Sequence, residues 1–193
     1  MLHPSTELKF INKEIGLGVF VTEFIPKGTI LWAFDDLDIL IPNKQVKSTP
    51  ELIKSKIMKY GYRFNSKRYV LNWDITRYIN HSCYPNSRSV GPYMDIAIRD
   101  IQQGEQLMCD YGILNYSDLN CLCGEANCRK IIKATDCINY YKQWDDEILE
   151  ALKLLNNVTQ PMYELAIKTE ENRKIIESNP NFLFPSSKWF YLK

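Results

Sequence analysis

Arg77-Tyr-Ile-Asn-His-Ser-Cys-Tyr-Pro-Asn86 is the stretch on which the reading of this chain turns. It sets an amide, an imidazole and a thiol close together at Asn80, His81 and Cys83, just ahead of a Tyr-Pro corner. A Cys and a His two apart can form a nucleophilic dyad, in which a lowered thiol pKa creates a thiolate attacker. Metal competes for the same sulfur. Downstream, Cys121-Leu-Cys-Gly-Glu-Ala-Asn-Cys128 carries three thiols, at Cys121, Cys123 and Cys128, and is one ligand short of a closed tetrahedral zinc site. Cys83 is the candidate fourth ligand, and one ion would then tie two distant segments together. Cys109 and Cys137 fall outside this set.

The chain has 193 residues, 45% of them hydrophobic, enough for a packed core and against a disordered or fibrous reading. A formal net charge of +1 supplies no global field toward nucleic acid or membrane. Basic residues cluster at Lys44, Lys47, Lys54, Lys56, Lys59, Arg63, Lys67 and Arg68, opposed by Glu51 alone; this is a solvated face or a contact for an anionic partner such as DNA. The first residues contain no apolar signal region, and no stretch approaches the length of a membrane span. A soluble protein in a reducing intracellular compartment is expected, with thiols on metal rather than in disulfides.

Short apolar runs at Ile15 to Val21, Thr29 to Phe34 and Leu37 to Ile41 are cut by turn signals at Gly16, Gly18, Pro26-Lys-Gly28 and Pro42-Asn43, which predicts strands in a meander. Pro50 opens an amphipathic helix carrying Leu52, Ile53, Ile57 and Tyr60. Strand text resumes at Tyr69 to Asn72, and Met94, Ile96 and Ile98 alternate with Asp95, Ala97 and Arg99 as on a half-buried strand. Beyond Lys133 the period becomes helical: Asp145-Asp-Glu147 lead into Ile148, Leu149, Leu152 and Leu155, and Pro161 opens a stretch with Met162, Leu165, Ala166, Ile175 and Ile176. The aromatic end, Phe182, Phe184, Trp189, Phe190 and Tyr191, is expected to dock on the core.

Two more segments bear on chemistry. Lys13-Glu-Ile-Gly16-Leu-Gly18 lets backbone turn tightly or approach a ligand, but it lacks the third glycine and following helix of a dinucleotide site. Gly104-Glu-Gln-Leu-Met-Cys-Asp-Tyr-Gly112 ends a strand on a phenol beside a flexible corner. In order, the glycine pair, the Asn80-His81 segment, the Asp110-Tyr111-Gly112 corner and Cys-x-Cys-Gly-x3-Cys-Arg129 resemble the SET-domain protein lysine methyltransferases with a post-SET zinc motif, over roughly Lys9 to Lys133.

The resemblance implies a mainly β fold, the SET fold, of small sheets with a pseudoknot-like threading plus a C-terminal α-helical appendage. It implies a SET domain at 1–120 with a variable insert at 43–68, a post-SET zinc segment at 121–133, and a helical extension at 134–193. It further implies S-adenosyl-L-methionine bound by Gly16, Leu17, Gly18, Arg77, Tyr78, Asn80 and His81, with Leu122 packing on the adenine. One structural Zn2+ on Cys83, Cys121, Cys123 and Cys128 would brace that pocket. Tyr111 matches the family's catalytic tyrosine, and Cys109, Tyr111 and Tyr116 would line the substrate channel.

Two positions depart from the family pattern. Tyr78 replaces the usual Phe, keeping the ring. Cys109 stands where Phe or Tyr usually limits the number of methyl groups, so a roomier channel and higher methylation states are expected, unless Cys109 is merely a buried strand residue. The implied partner is a protein presenting a lysine, a histone tail or a non-histone protein, with DNA contact through 44–68 and no membrane. Its location would be nuclear chromatin in a eukaryote or on delivery to a host, and the cytoplasm otherwise. A competing reading is a catalytically silent SET module acting as a zinc-stabilised scaffold for protein or nucleic acid; it gives no reason to retain Asn80, His81 and Tyr111 together.

Overall fold

The computed structural model describes residues 1–65, 67–114, 118–177 and 184–188. The expectations placed on Tyr116, Phe182, Trp189, Phe190 and Tyr191 lie outside them.

A hairpin opens the chain, β1 (Thr6–Asn12) antiparallel to β2 (Gly16–Val21). Its turn is closed by the Asn12 side chain, whose Oδ1 accepts the Glu14 and Ile15 N–H groups, and Gly16 follows at φ 88°, a left-handed conformation that favours glycine. Then come β3 (Ile30–Ala33) and β4 (Ile39–Pro42), both legible as apolar runs. Two helices interrupt the sheets: α1 (Asn43–Ser48), where the sequence showed only a turn, and α2 (Glu51–Tyr60), entered from Pro50 as expected. Of the apolar residues expected on α2, only Ile57 is buried, beside Val46 of α1, while Leu52 and Ile53 remain exposed. The chain returns through β5 (Tyr62–Asn65) and β6 (Arg68–Leu71), and β6 lies between β4 and β5 in a three-stranded antiparallel sheet.

A 3-10 turn, Ile75–Tyr78, delivers the motif segment as β7 (Asn80–His81). The Asp74 carboxylate caps that turn, accepting the Thr76 N–H at 3.0 Å and the Leu2 N–H at 2.7 Å. Next come β8 (Ser87–Ser89) and β9 (Met94–Ala97), which with β3 form the central antiparallel sheet in the order β3-β9-β8. β10 (Met108–Cys109) pairs with β7 in parallel, Met108 beside Asn80 and Cys109 beside His81. β11 (Leu119–Asn120) and β12 (Ile131–Ile132) close a ribbon around the cysteine segment.

β9 corrects one expectation. Met94 and Ile96 enter one core, but the opposite face is not solvated: Ala97 is fully buried in a second core with Val19, Ile25 and Leu107, and Asp95 faces a cavity. The first of these cores is completed by the C-terminal helices, α3 (Asp136–Leu152), α4 (Tyr163–Ala166) and α5 (Glu170–Glu177). Ile148, Ala151, Met162, Ala166, Ile175 and Ile176 all pack there against Ile30, Val90, Met94 and Ile96, with Phe184 half-buried beside them. α3 begins nine residues before Asp145, because Cys137, Trp144, Ile148 and Ala151 form one helical stripe whose first half reads as polar text. The three helices lie on the sheet as part of its core.

Candidate active site

The site is built where the short β7-β10 ladder brings three motifs together. Asn80 reaches back to the hairpin, its Nδ2 donating to the Leu17 carbonyl at 3.0 Å. Gly18 permits that approach: a Cβ there would stand 2.6 Å from the Gln106 Nε2 and Ile11 Cδ1 atoms and 3.0 Å from Asn80 Nδ2. Gly16, by contrast, faces open space, and the Gln106 amide nitrogen is buried without a hydrogen-bond partner. An open glycine backbone next to an unsatisfied amide fits a polar ligand laid along the start of β2.

His81 links this cradle to the tyrosine corner. The Tyr111 N–H donates to His81 Nδ1 at 3.1 Å, which leaves the ring proton on Nε2, facing the Cys83 sulfur at 3.4 Å. Burial, reinforced by the nearby Arg129 and Arg88 charges and opposed by Asp110, lowers its pKa to about 4, so the imidazole is neutral at pH 7. Tyr111 donates its hydroxyl to the Ile79 carbonyl at 2.8 Å, the residue just before the Asn-His pair. Burial, with Cys109 adding to it, holds the phenol well above its usual pKa, so it stays a donor. Cys109 is buried beside it and likewise stays a thiol.

Beneath the corner lies a charge network that the motifs did not reveal. Asp110 is 3% exposed, and its carboxylate meets Arg88 at 3.2 Å and is held on its other oxygen by Arg129. Arg88 continues to Glu147 at 2.7 Å and lies over the Trp144 ring, while Arg129 continues to Asp136 at 2.9 Å and lies over Tyr140. Asp136, Tyr140, Trp144 and Glu147 all belong to α3. A buried carboxylate needs such partners, and here they tie the tyrosine corner to both the cysteine segment and the C-terminal helix. The only sequence signals were Arg129 directly after Cys128 and the Asp of Asp-Tyr-Gly.

The four expected metal ligands gather as a cluster. Cys83 Sγ lies 3.8 Å from Cys121 Sγ, and Cys123 and Cys128 also contact the Cys121 thiol. The donor atoms of His81, Cys83, Cys121 and Cys123 all lie within 4.8 Å of one another. His81 is the addition to the expected set. Its Nδ1 accepts from Tyr111 and its Nε2 then carries the proton, so it stands as a donor to the Cys83 sulfur; Cys128 is outside that group of four, although it contacts the Cys121 thiol. Backbone N–H groups of Arg129 and Lys130 point at the Cys83 and Cys128 sulfurs at 3.4 and 3.3 Å, an arrangement suited to thiolates. Without a cation, burial and the crowd of neighbouring thiols hold Cys121 protonated; a divalent ion reverses that preference. The metal-side reading of Cys83 thus has more support than the nucleophilic dyad.

A cavity of about 480 Å³ opens beside Tyr111, lined by Trp32, Tyr62, Ile79, Asp95, Cys109 and Tyr111 among others. Arg77 faces this cavity as well, with its Nε donating to the Asp74 carbonyl at 3.1 Å. Tyr78 packs edge-on against Tyr60 of α2 at 5.6 Å between centroids. Leu122, between two cluster cysteines, is 59% exposed, an apolar side chain without cover.

Residues 16–112 match the SET domain family. The chain belongs to that family. Relatives of this SET protein include a putative histone-lysine N-methyltransferase, ASHH4, from Arabidopsis thaliana, 30% identical over 152 residues, covering 68% of this chain and 41% of the relative. Histone-lysine N-methyltransferase Set2 of Drosophila melanogaster is 36% identical over 153 residues, 72% of this chain and 6% of that protein. A Schizosaccharomyces pombe histone-lysine N-methyltransferase, H3 lysine-36 specific, is 25% identical over 188 residues, 87% of this chain and 23% of that protein. The chain thus spans less than half the length of these relatives. Its mainly β core of small sheets with C-terminal helices is the architecture expected of a SET fold. No helix among the described residues is long and apolar enough to cross a membrane.

Proposed function

We propose that this SET protein is a protein lysine N-methyltransferase using S-adenosylmethionine, with one structural zinc ion. The observation that carries the reading is the Tyr111 corner: its hydroxyl is held on the carbonyl of Ile79, next to Asn80 of the Gly18 cradle, and both Tyr111 and Ile79 line the cavity. A transfer enzyme of this kind needs donor and acceptor to enter from opposite faces and meet in line. When bound, S-adenosylmethionine supplies a methyl group on a positively charged sulfur. Gly16, Leu17, Gly18, Asn80 and His81 would hold it, and exposed Leu122 offers an apolar surface for its base. Arg77, which lines the cavity, and Tyr78, which packs on Tyr60, are the further cofactor contacts of this reading.

The work of this chain's own residues is to deliver a neutral lysine amine on the axis of the methyl group. The phenol of Tyr111 and the carbonyl of Ile79, hydrogen-bonded to each other on the cavity wall, would orient the amine. Cys109, smaller than a phenylalanine or tyrosine, leaves room there for an amine that already carries methyl groups, so products beyond monomethyl-lysine are part of the reading. The four thiolates of Cys83, Cys121, Cys123 and Cys128 fill a tetrahedral site, leave no position for substrate and make the metal structural.

The names of the relatives support a histone as the substrate class, and with it a chromatin location in a eukaryotic cell. Eight basic side chains between residues 44 and 68 support a contact with nucleosomal DNA, as a histone tail would not be gripped by lysines. We assign residues 1–120 to the SET domain, 121–133 to the zinc segment and 134–193 to a helical extension. Incubation with methyl-labelled S-adenosylmethionine and a panel of histones, nucleosomes and cell lysate should label lysine in at least one of them. Absence of label together with absence of cofactor binding by calorimetry would favour a silent scaffold.

A further inference from the structure

The cavity beyond Tyr111 carries an acidic wall that the methyl-transfer chemistry described so far leaves unused. Asp95 sits on β9 opposite Trp32 of β3 and Ser89 of β8, and all three line the cavity. Among the described residues no ion pair reaches it; its carboxylate takes a hydrogen bond from Ser89 and feels the charge of the N-terminal ammonium, which is itself paired with Asp35 at 2.7 Å. Its charge is felt by Tyr62 from β5 and by Cys109 from β10, and Tyr62 also feels the buried carboxylate of Asp38. A carboxylate with no ion pair on the wall of a cavity is a place where a positively charged group would supply one. Burial raises the Asp95 pKa to about 6, so the group is mostly ionised at pH 7.5 despite its surroundings.

Two cations line the same cavity, Arg77, whose Nε donates to the Asp74 carbonyl, and Lys59, which lies over the Tyr60 ring at 5.2 Å; neither forms an ion pair with Asp95 among the described residues. We propose that Asp95 is the cation-recognising residue of this cavity, receiving the primary ammonium of an inserted lysine side chain, so that the site selects lysine by charge as well as by shape. The proposal rests on the methyltransferase reading for its biological meaning but not for its test. Capture and transfer make opposite demands on the amine, which must arrive charged and react neutral. A half-buried carboxylate meets both, since the proton can pass to it: Lys-NH3+ and Asp95-COO− become Lys-NH2 and Asp95-COOH, with no other bond changed. The amine then forms its N–C bond as the S–C bond of the donor breaks.

The test uses n-butylammonium, a lysine side-chain mimic, against n-butanol as a neutral control of similar shape, titrated into the chain at pH 7.5 and followed by the 13C signal of the Asp95 carboxyl and by calorimetry. The wild type should bind the ammonium about tenfold or more tightly than the alcohol, and the carboxyl signal should move with saturation. Asp95→Asn, which keeps shape and hydrogen-bonding capacity, should erase the preference while still binding S-adenosylmethionine. Equal affinity of wild type and Asp95→Asn for n-butylammonium would overturn the proposal. If instead the preference is present and no methyl transfer is found, the methyltransferase reading fails and the ammonium site stands.

Discussion

At the level of single residues, the account places two side chains under opposing demands. Tyr111 is held in place twice, by its N–H on His81 and its hydroxyl on Ile79, so removing the hydroxyl should leave the ring where it is. Tyr111→Phe is therefore expected to lower turnover roughly a hundredfold with S-adenosylmethionine affinity within about twofold of wild type, measured by single-turnover kinetics and calorimetry. Asp95 shows the other side of a functional residue. Its pKa in the fold, about 6, lies above the 3.8 of an unperturbed aspartate, so the native state binds its proton more tightly than the unfolded chain. Stability then falls as pH rises from about 4 to about 6 and stays reduced above that. Asp95→Asn should stabilise the protein at pH 7.5 by about 1–3 kcal/mol in denaturant melts, with the gain vanishing below pH 4. A variant that is less stable at pH 7.5 would show that the carboxylate is engaged by a cation in the folded chain.

Among the elements, the hairpin, the cysteine ribbon and the β7-β10 ladder each present one motif. Gly18→Ala should weaken cofactor affinity about tenfold or more, because its Cβ would push Asn80 and Gln106 from the cradle; calorimetry with S-adenosylmethionine reads this directly. The ribbon should carry one zinc per chain by elemental analysis, and Cys128→Ser should reduce that content and uncouple residues 121–133. Full zinc occupancy in Cys128→Ser would point to His81 as the fourth ligand. Much at this scale was legible in the sequence. Ile15 to Val21, Thr29 to Phe34 and the helix after Pro50 read as strands and helix because turn residues bound their apolar runs. The first turns of α3 were not, since Cys137, Tyr140 and Trp144 are spread among Lys, Gln and Asp and only the folded stripe unites them. Nor could periodicity supply the β7-β10 pairing: two residues a side carry no pattern, and the pairing joins segments far apart in the chain.

For the whole molecule, the C-terminal helices are structural partners of the site. Deleting residues 134–193 would strip Ile148, Ala151, Met162 and Ala166 from the central sheet and remove Asp136 and Glu147 from the Arg129 and Arg88 charges. Arg88→Met alone should destabilise the fold by about 3–5 kcal/mol in chemical denaturation, since it leaves Asp110 buried with one partner fewer. None of this network was visible in the spacing of Asp110, Arg129 and Arg88, because charge pairing across 22 and 19 residues leaves no local signature. Membership of the SET family was readable from the ordered motifs; the acidic cavity wall was not, because Asp95 sits in an alternating strand where a polar residue reads as solvent-facing.

The most direct measurement is tandem mass spectrometry of a histone and nucleosome panel after incubation with S-adenosylmethionine and the wild-type chain or Tyr111→Phe. The account predicts methyl groups on a lysine side-chain nitrogen, with di- or trimethyl products at saturation and a large loss in the variant. Equal methylation by both proteins, or methyl groups on residues other than lysine, would contradict it.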